Sequence, residues 1–91
     1  MGITRYHFLI EGRVQGVGYR MSAQLSAQKT GVTGWVRNLP NGQVEMLAEG
    51  DTSQLSQLLE WAWQGPEFAK VTDIQLTEQT ATGEFSQFDI R

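Results

Sequence analysis

The seven residues Gly12-Arg13-Val14-Gln15-Gly16-Val17-Gly18 include three glycines, and Arg20 follows two positions later. Glycines let successive backbone N–H groups turn toward one point, which forms a nest for an anion. A helix that starts after such a loop adds the positive end of its dipole. Arg20 adds a planar fork of donors that matches phosphate oxygens. The backbone of Val14, Gln15, Gly16, Val17 and Gly18, together with Arg20, is therefore a candidate phosphate site. A tight strand-to-helix turn would by itself account for the glycines. It does not account for their combination with a helix start and an arginine.

Two familiar phosphate motifs do not fit. A Walker loop ends in Gly-Lys-Ser/Thr, and here Gly18-Tyr19-Arg20 stands instead. A dinucleotide fingerprint needs a third glycine where Met21 sits and an acidic residue about 20 positions on. A nucleotide cofactor is not expected. Other chemistry is excluded by residue type. The 91-residue chain has no cysteine, which removes disulfides, thiolate metal sites and cysteine nucleophiles. Its one histidine, His7, cannot make a His-rich metal site.

The net charge of −3 argues against general nucleic-acid binding. Its distribution is uneven. Gly12 to Val44 contains Arg13, Arg20, Lys29 and Arg37 and no acid, while all ten carboxylates lie outside that stretch. The cationic zone fits a compact site for a small anion, although four basic residues can also cluster by chance. Arg13 and Arg37 read as solvated charges that attract substrate rather than as direct contacts.

The elements that must position these groups follow from periodicity. Residues 6–10 read as a strand with Tyr6, Phe8 and Ile10 on one face. Arg20 to Lys29 lacks Gly and Pro and reads as a helix, with Gly31 as its end signal. Residues 32–39 and 43–48 read as strands around a Pro40-Asn41-Gly42 hairpin turn. Asp51 is the expected N-cap of a second helix, with Gln54 as its capping-box partner. Leu55, Leu58, Leu59 and Ala62 form that helix's apolar stripe. Gly65-Pro66 stops it. Residues 71–77 read as a strand whose apolar parity changes between Val71 and Ile74, which marks a bulge. Residues 86–90 read as a short last strand. Trp63 is expected in the core and Trp61 half exposed. Trp35 reads as packing.

The order β-α-β-β-α-β plus a terminal strand predicts one domain over residues 1–91. The fold class is α+β: a ferredoxin-like sandwich with two helices on one face of a mainly antiparallel sheet. A helical crossover makes the first two strands parallel, so their carboxyl ends share one edge of the sheet. The glycine loop, the start of the first helix and Asn38 all fall at that edge. With one strand between them, the two strands lie about 10 Å apart, a gap that a long arginine can largely span. On these grounds alone Asn38 is equally well read as a turn residue beside the hairpin.

Gly12-Arg13-Val14-Gln15-Gly16-Val17-Gly18-Tyr19-Arg20 resembles the first signature of the acylphosphatases. Gly34-Trp35-Val36-Arg37-Asn38 with Asn41-Gly42-Gln43-Val44-Glu45 resembles the second. The similarity runs on through Gly50 and residues 66–71 to Phe88-Asp89-Ile90-Arg91, nearly the whole chain. It departs in having Asn41-Gly42 where Asp-Gly is usual, and Tyr19 where Phe is common. The resemblance implies a ferredoxin-like hydrolase that splits acyl phosphates into a carboxylate and inorganic phosphate. It implies that Arg20 binds the phosphoryl group and that Asn38 orients the attacking water.

Residue chemistry agrees with that implication. A carboxylate is a weak base and leaves without a proton, so no general acid is required. Positioning and charge stabilisation of a loose transition state remain for the protein to supply. Arg20 and backbone dipoles provide positive charge, so neither metal nor organic cofactor is expected. The anticipated partners are a small-molecule acyl phosphate and its product, inorganic phosphate. Neither nucleic acid nor membrane is anticipated. The third strand, Gln43 to Ala48, lacks the aromatic pairs of an RNA reader. A phosphate-binding relative without turnover is the harder rival to exclude.

His7 lies at the opposite end of its strand from the loop and reads as structural. The role of Arg91 stays open. No segment reads as a dedicated acyl pocket, so tolerance toward the acyl group is expected. The opening residues show neither a signal-peptide core nor the myristoylation pattern, which wants Ser or Thr where Tyr6 stands. No apolar run reaches the roughly 18 residues of a membrane span. A cytoplasmic location is the expectation. Nothing forces a dimer, so a monomer is expected.

Overall fold

Alternation builds the first strand: Phe8 and Ile10 are fully buried, while His7, Leu9 and Glu11, which alternate with them, are partly exposed. In the computed structural model, which describes residues 2–91, this strand is β1, Thr4–Arg13. It exceeds the expected span because it pairs on both sides, with β3 (Val44–Gly50) and with β4 (Lys70–Thr80). Between them in the chain come α1 (Tyr19–Thr30), β2 (Thr33–Asn38) and α2 (Thr52–Gln64). A short β5, Phe88–Ile90, ends the order.

The five strands lie in the order β4-β1-β3-β2-β5. β3 runs antiparallel to both β1 and β2, so those two are parallel and end at one edge of the sheet, as the helical crossover predicts. β5 pairs in parallel with β2, setting Gly34 against Phe88 and Val36 against Ile90. The expected bulge is present. Glu11 faces Asp73 and Gly12 faces Val71, which leaves Thr72 as the extra residue. That residue lets both Val71 and Ile74 pack against the core despite their odd spacing.

The core lies between the sheet and both helices. It joins Phe8, Ile10, Val36, Val44, Met46 and Phe88 from strands to Tyr19, Ala23, Ala27, Leu55, Leu58 and Ala62 from helices. Each large side chain buried there contributes about 1.5–3 kcal/mol. α2 starts with the capping box expected of Asp51: its carboxylate accepts from Gln54 N at 2.8 Å, and Gln54 Oε1 accepts from Asp51 N at 2.9 Å. α1 stops at Gly31 and α2 at Gly65.

The tryptophans reverse the expectation. Trp61 packs against the core and lies 5.1 Å from the Tyr19 ring, while Trp63 is 47% exposed. At 100° per residue both lie about 100° from the centre of the buried stripe, on opposite sides. Periodicity cannot choose between them. α1 covers the Trp61 side, so that residue is partly buried while Trp63 stays exposed. Among the described residues no helix is long and apolar enough to cross a membrane.

Candidate active site

α1 has no conventional N-cap. Gly18 occupies that position at φ 78°, a left-handed conformation that glycine adopts without penalty, and no side chain caps the helix. Gly16 is also left-handed, at φ 75°. Among the described residues, the backbone bonds of loops and caps do not use the N–H groups of residues 15–20 as donors. The first turn of α1 carries no acid. Unpaired amides and an uncompensated helix dipole therefore border one point, which Gly16, Gly18, Tyr19 and Arg20 line and Gln15 and Val17 do not.

That point is a cleft of about 230 Å³ lined by Val14, Gly16, Gly18, Tyr19, Arg20, Met21, Asn38 and Ile90. Arg20 comes from the first turn of α1 and Asn38 from the last residue of β2. The fold thus brings together the two side chains and the loop that lie 18 residues and one strand apart in sequence and sheet. Asn38 Oδ1 is buried and has no hydrogen-bond partner among the described residues. An unpaired buried acceptor costs about 1–3 kcal/mol, so its retention points to a partner that arrives from outside the protein.

Gln15 holds the two halves of the cleft in register. Its Nε2 donates to the Leu39 carbonyl at 2.8 Å and to the Gln43 carbonyl at 2.9 Å. The hairpin beyond is closed by Leu39 N donating to Gln43 O and by Asn41 Oδ1 accepting from Gln43 N. Tyr19 anchors the other side. Its hydroxyl donates to the Ala62 carbonyl, in the last turn of α2, at 2.7 Å. Burial pushes the Tyr19 phenol well above its ordinary pKa and keeps the donor protonated. Tyr19 thus ties the start of α1 to the end of α2. Sequence reasoning treated Gln15 only as a loop amide and Tyr19 as neutral. Both act through partners at least 24 residues away, which no local pattern displays.

Arg37 does not lie free to attract substrate. Its Nε donates to Glu45 Oε1 at 2.6 Å, and its guanidinium sits 5.1 Å from the Trp35 ring centroid. Arg91 lies 4.9 Å from the same ring, so the two arginines both stack on Trp35. The parity of β2 sends Trp35 and Arg37 to the face opposite the buried Val36. His7 is structural as expected, with Nε2 2.8 Å from Glu45 Oε2. Burial pulls the Glu45 carboxyl upward, but bonds from His7 and Arg37 outweigh it and hold the group below its ordinary pKa.

The acylphosphatase family profile matches residues 6–90. An acylphosphatase of Methylococcus capsulatus is 51% identical over 88 residues, which cover 97% of this chain and 96% of that protein. One of Marinobacter nauticus is also 51% identical, with the same coverage of each chain. The crystal structure of acylphosphatase from Bacillus subtilis superposes with a TM-score of 0.94 at 41% identity, covering 97% of this chain and 98% of that one. Matched in sequence and fold over nearly its full length by such relatives, the chain belongs to the acylphosphatase family.

Proposed function

We propose that this chain performs acyl phosphate hydrolysis with a division of labour between the two walls of its cleft. The free amides of the loop and the Arg20 fork hold the equatorial oxygens of the phosphoryl group. The Asn38 carboxamide holds a water by its Oδ1, which accepts a proton-bearing bond from that water. The water oxygen attacks phosphorus in line as the bond from phosphorus to the acyl oxygen breaks. That bond's electron pair leaves with the carboxylate. One water proton stays on the new P–O bond and the other passes to a phosphoryl oxygen, so the products are a carboxylate and dihydrogen phosphate.

The orphaned Asn38 Oδ1 carries this reading. A turn residue would satisfy its side chain within the hairpin, as Asn41 does. Asn38 instead lines the same cleft as Arg20. No lining side chain is a carboxylate, thiol or imidazole, so charge stabilisation in the cleft falls to Arg20 and the backbone.

The test is hydrolysis of benzoyl phosphate, followed as release of benzoate, with and without an excess of chelator. Turnover that persists with chelator is the expected result. Phosphate binding without turnover would reassign the chain to anion sensing, and loss of turnover on chelation would contradict charge stabilisation by Arg20 and backbone alone.

A further inference from the structure

The cleft has an apolar lip. Of its eight lining residues, Gly16 and Gly18 present no side chain, Arg20 and Asn38 are polar, and Val14 and Tyr19 are each only 1% exposed. Met21, at 65% exposure, and Ile90, at 39%, are the two that are both apolar and open to solvent. Each stands at a mouth position for a structural reason. Gln24 Nε2 donates to the Phe88 carbonyl at 3.0 Å and pins α1 to β5. Met21 lies one helical turn from Gln24 toward the glycine loop. Ile90 lies two residues beyond Phe88, toward the strand end that bears Asn38.

We propose that Met21 and Ile90 form the acyl subsite, and that they bias the enzyme toward acyl phosphates whose acyl group is extended and apolar. The inference rests on the phosphoryl-binding reading of the same cleft. A volume of about 230 Å³ holds on the order of eight water-sized groups at about 30 Å³ each. A phosphoryl group with its oxygens and an attacking water fills most of it. The acyl chain must then leave through the mouth, and the exposed apolar surface there is Met21 and Ile90. An acetyl group is too short to cover either side chain. A hexanoyl chain or a phenyl ring offers more apolar surface to that lip. Sequence reading expects tolerance toward the acyl group because the lip joins residues 69 positions apart, each unremarkable in its own element.

The experiment compares kcat/KM for acetyl, hexanoyl and benzoyl phosphate in the wild type, Met21→Ser, Ile90→Thr and the double variant. Each methylene half covered on the lip is worth about two-fold, so hexanoyl phosphate should exceed acetyl phosphate by about ten-fold in the wild type. Each single variant should cut that ratio by about two- to three-fold and the double variant should bring it near two. Met21→Leu should keep the wild-type ratio, which a merely structural effect at that position would not ensure. Ratios within two-fold of unity in the wild type, or a ten-fold ratio kept by the double variant, overturn the subsite. Failure of the wild type to turn over any of the three compounds overturns the hydrolytic reading instead. In that event equilibrium binding of methylphosphonate and hexylphosphonate decides the subsite: about ten-fold tighter binding of the hexyl compound supports it, and equal binding overturns it.

Discussion

Gln15 Nε2 lies 2.8 Å from the carbonyl oxygen of Leu39, so the glycine loop is bonded to the backbone one residue beyond Asn38. Loop and strand end are thereby fixed relative to each other by a side chain that does not line the cleft. A group held to within a fraction of an ångström can act in a transition state at no further cost in reorganisation.

Gln15→Ala should therefore impair catalysis although the residue contributes no side chain to the cleft. Loss of the two bonds to Leu39 and Gln43 should lower kcat by about ten-fold and stability by about 1–2 kcal/mol. Steady-state kinetics with a denaturation curve check both. An unchanged kcat would separate hairpin clamping from catalysis.

Arg20 should not tolerate its nearest relative. A lysine carries the charge but not the planar fork, so Arg20→Lys should lose about 100-fold in kcat/KM and Arg20→Ala about 1000-fold. Inorganic phosphate should weaken as a competitive inhibitor in both. Measured kcat/KM and phosphate inhibition constants test this.

Tyr19→Phe removes the hydroxyl that meets the Ala62 carbonyl and leaves that acceptor buried. It should cost about 1–2 kcal/mol, read as a drop in denaturation midpoint. Turnover should change by no more than a few-fold, because the ring and its contact with Trp61 remain.

Glu49 gives the fold an acid-sensitive fastening. It is 2% exposed, and its carboxylate accepts from Arg5 Nε at 2.7 Å, Thr82 N at 2.9 Å and Gly83 N at 3.0 Å. Burial pulls its pKa up, but these bonds outweigh it and hold the carboxyl below its usual 4.5. A depressed folded pKa gives stability that is fully present above the unfolded value and lost as pH falls through the folded one. Wild-type stability should thus decline below about pH 4.5, and Glu49→Gln, weaker by about 2 kcal/mol at neutral pH, should decline less steeply. Denaturation midpoints between pH 3 and 7 measure the difference.

Much of the fold was legible in the sequence because its signals are local. The Asp51–Gln54 capping box, the Gly31 stop and the bulge opposite Gly12 each lie within a few residues of their cause. Arg20 and the loop could be paired with Asn38 because a helical crossover fixes where the first two strands end. Tertiary neighbours set the rest. Trp61 rather than Trp63 packs against the core because α1 lies on its side of α2. Arg37 is engaged because Glu45 faces it across the β2–β3 pair. Gln15 and the Met21–Ile90 lip act through partners that no periodicity reveals.

Asn38→Ala tests the central claim most directly, in a paired measurement of benzoyl phosphate turnover and inorganic phosphate affinity with a denaturation curve alongside. The orphaned Oδ1 costs the fold about 1–3 kcal/mol, so the variant should be at least as stable as wild type. Turnover should fall by about 100- to 1000-fold while phosphate affinity changes by no more than a few-fold. Wild-type turnover in Asn38→Ala, or a loss of phosphate affinity matching the loss of turnover, would contradict a water held by that carboxamide.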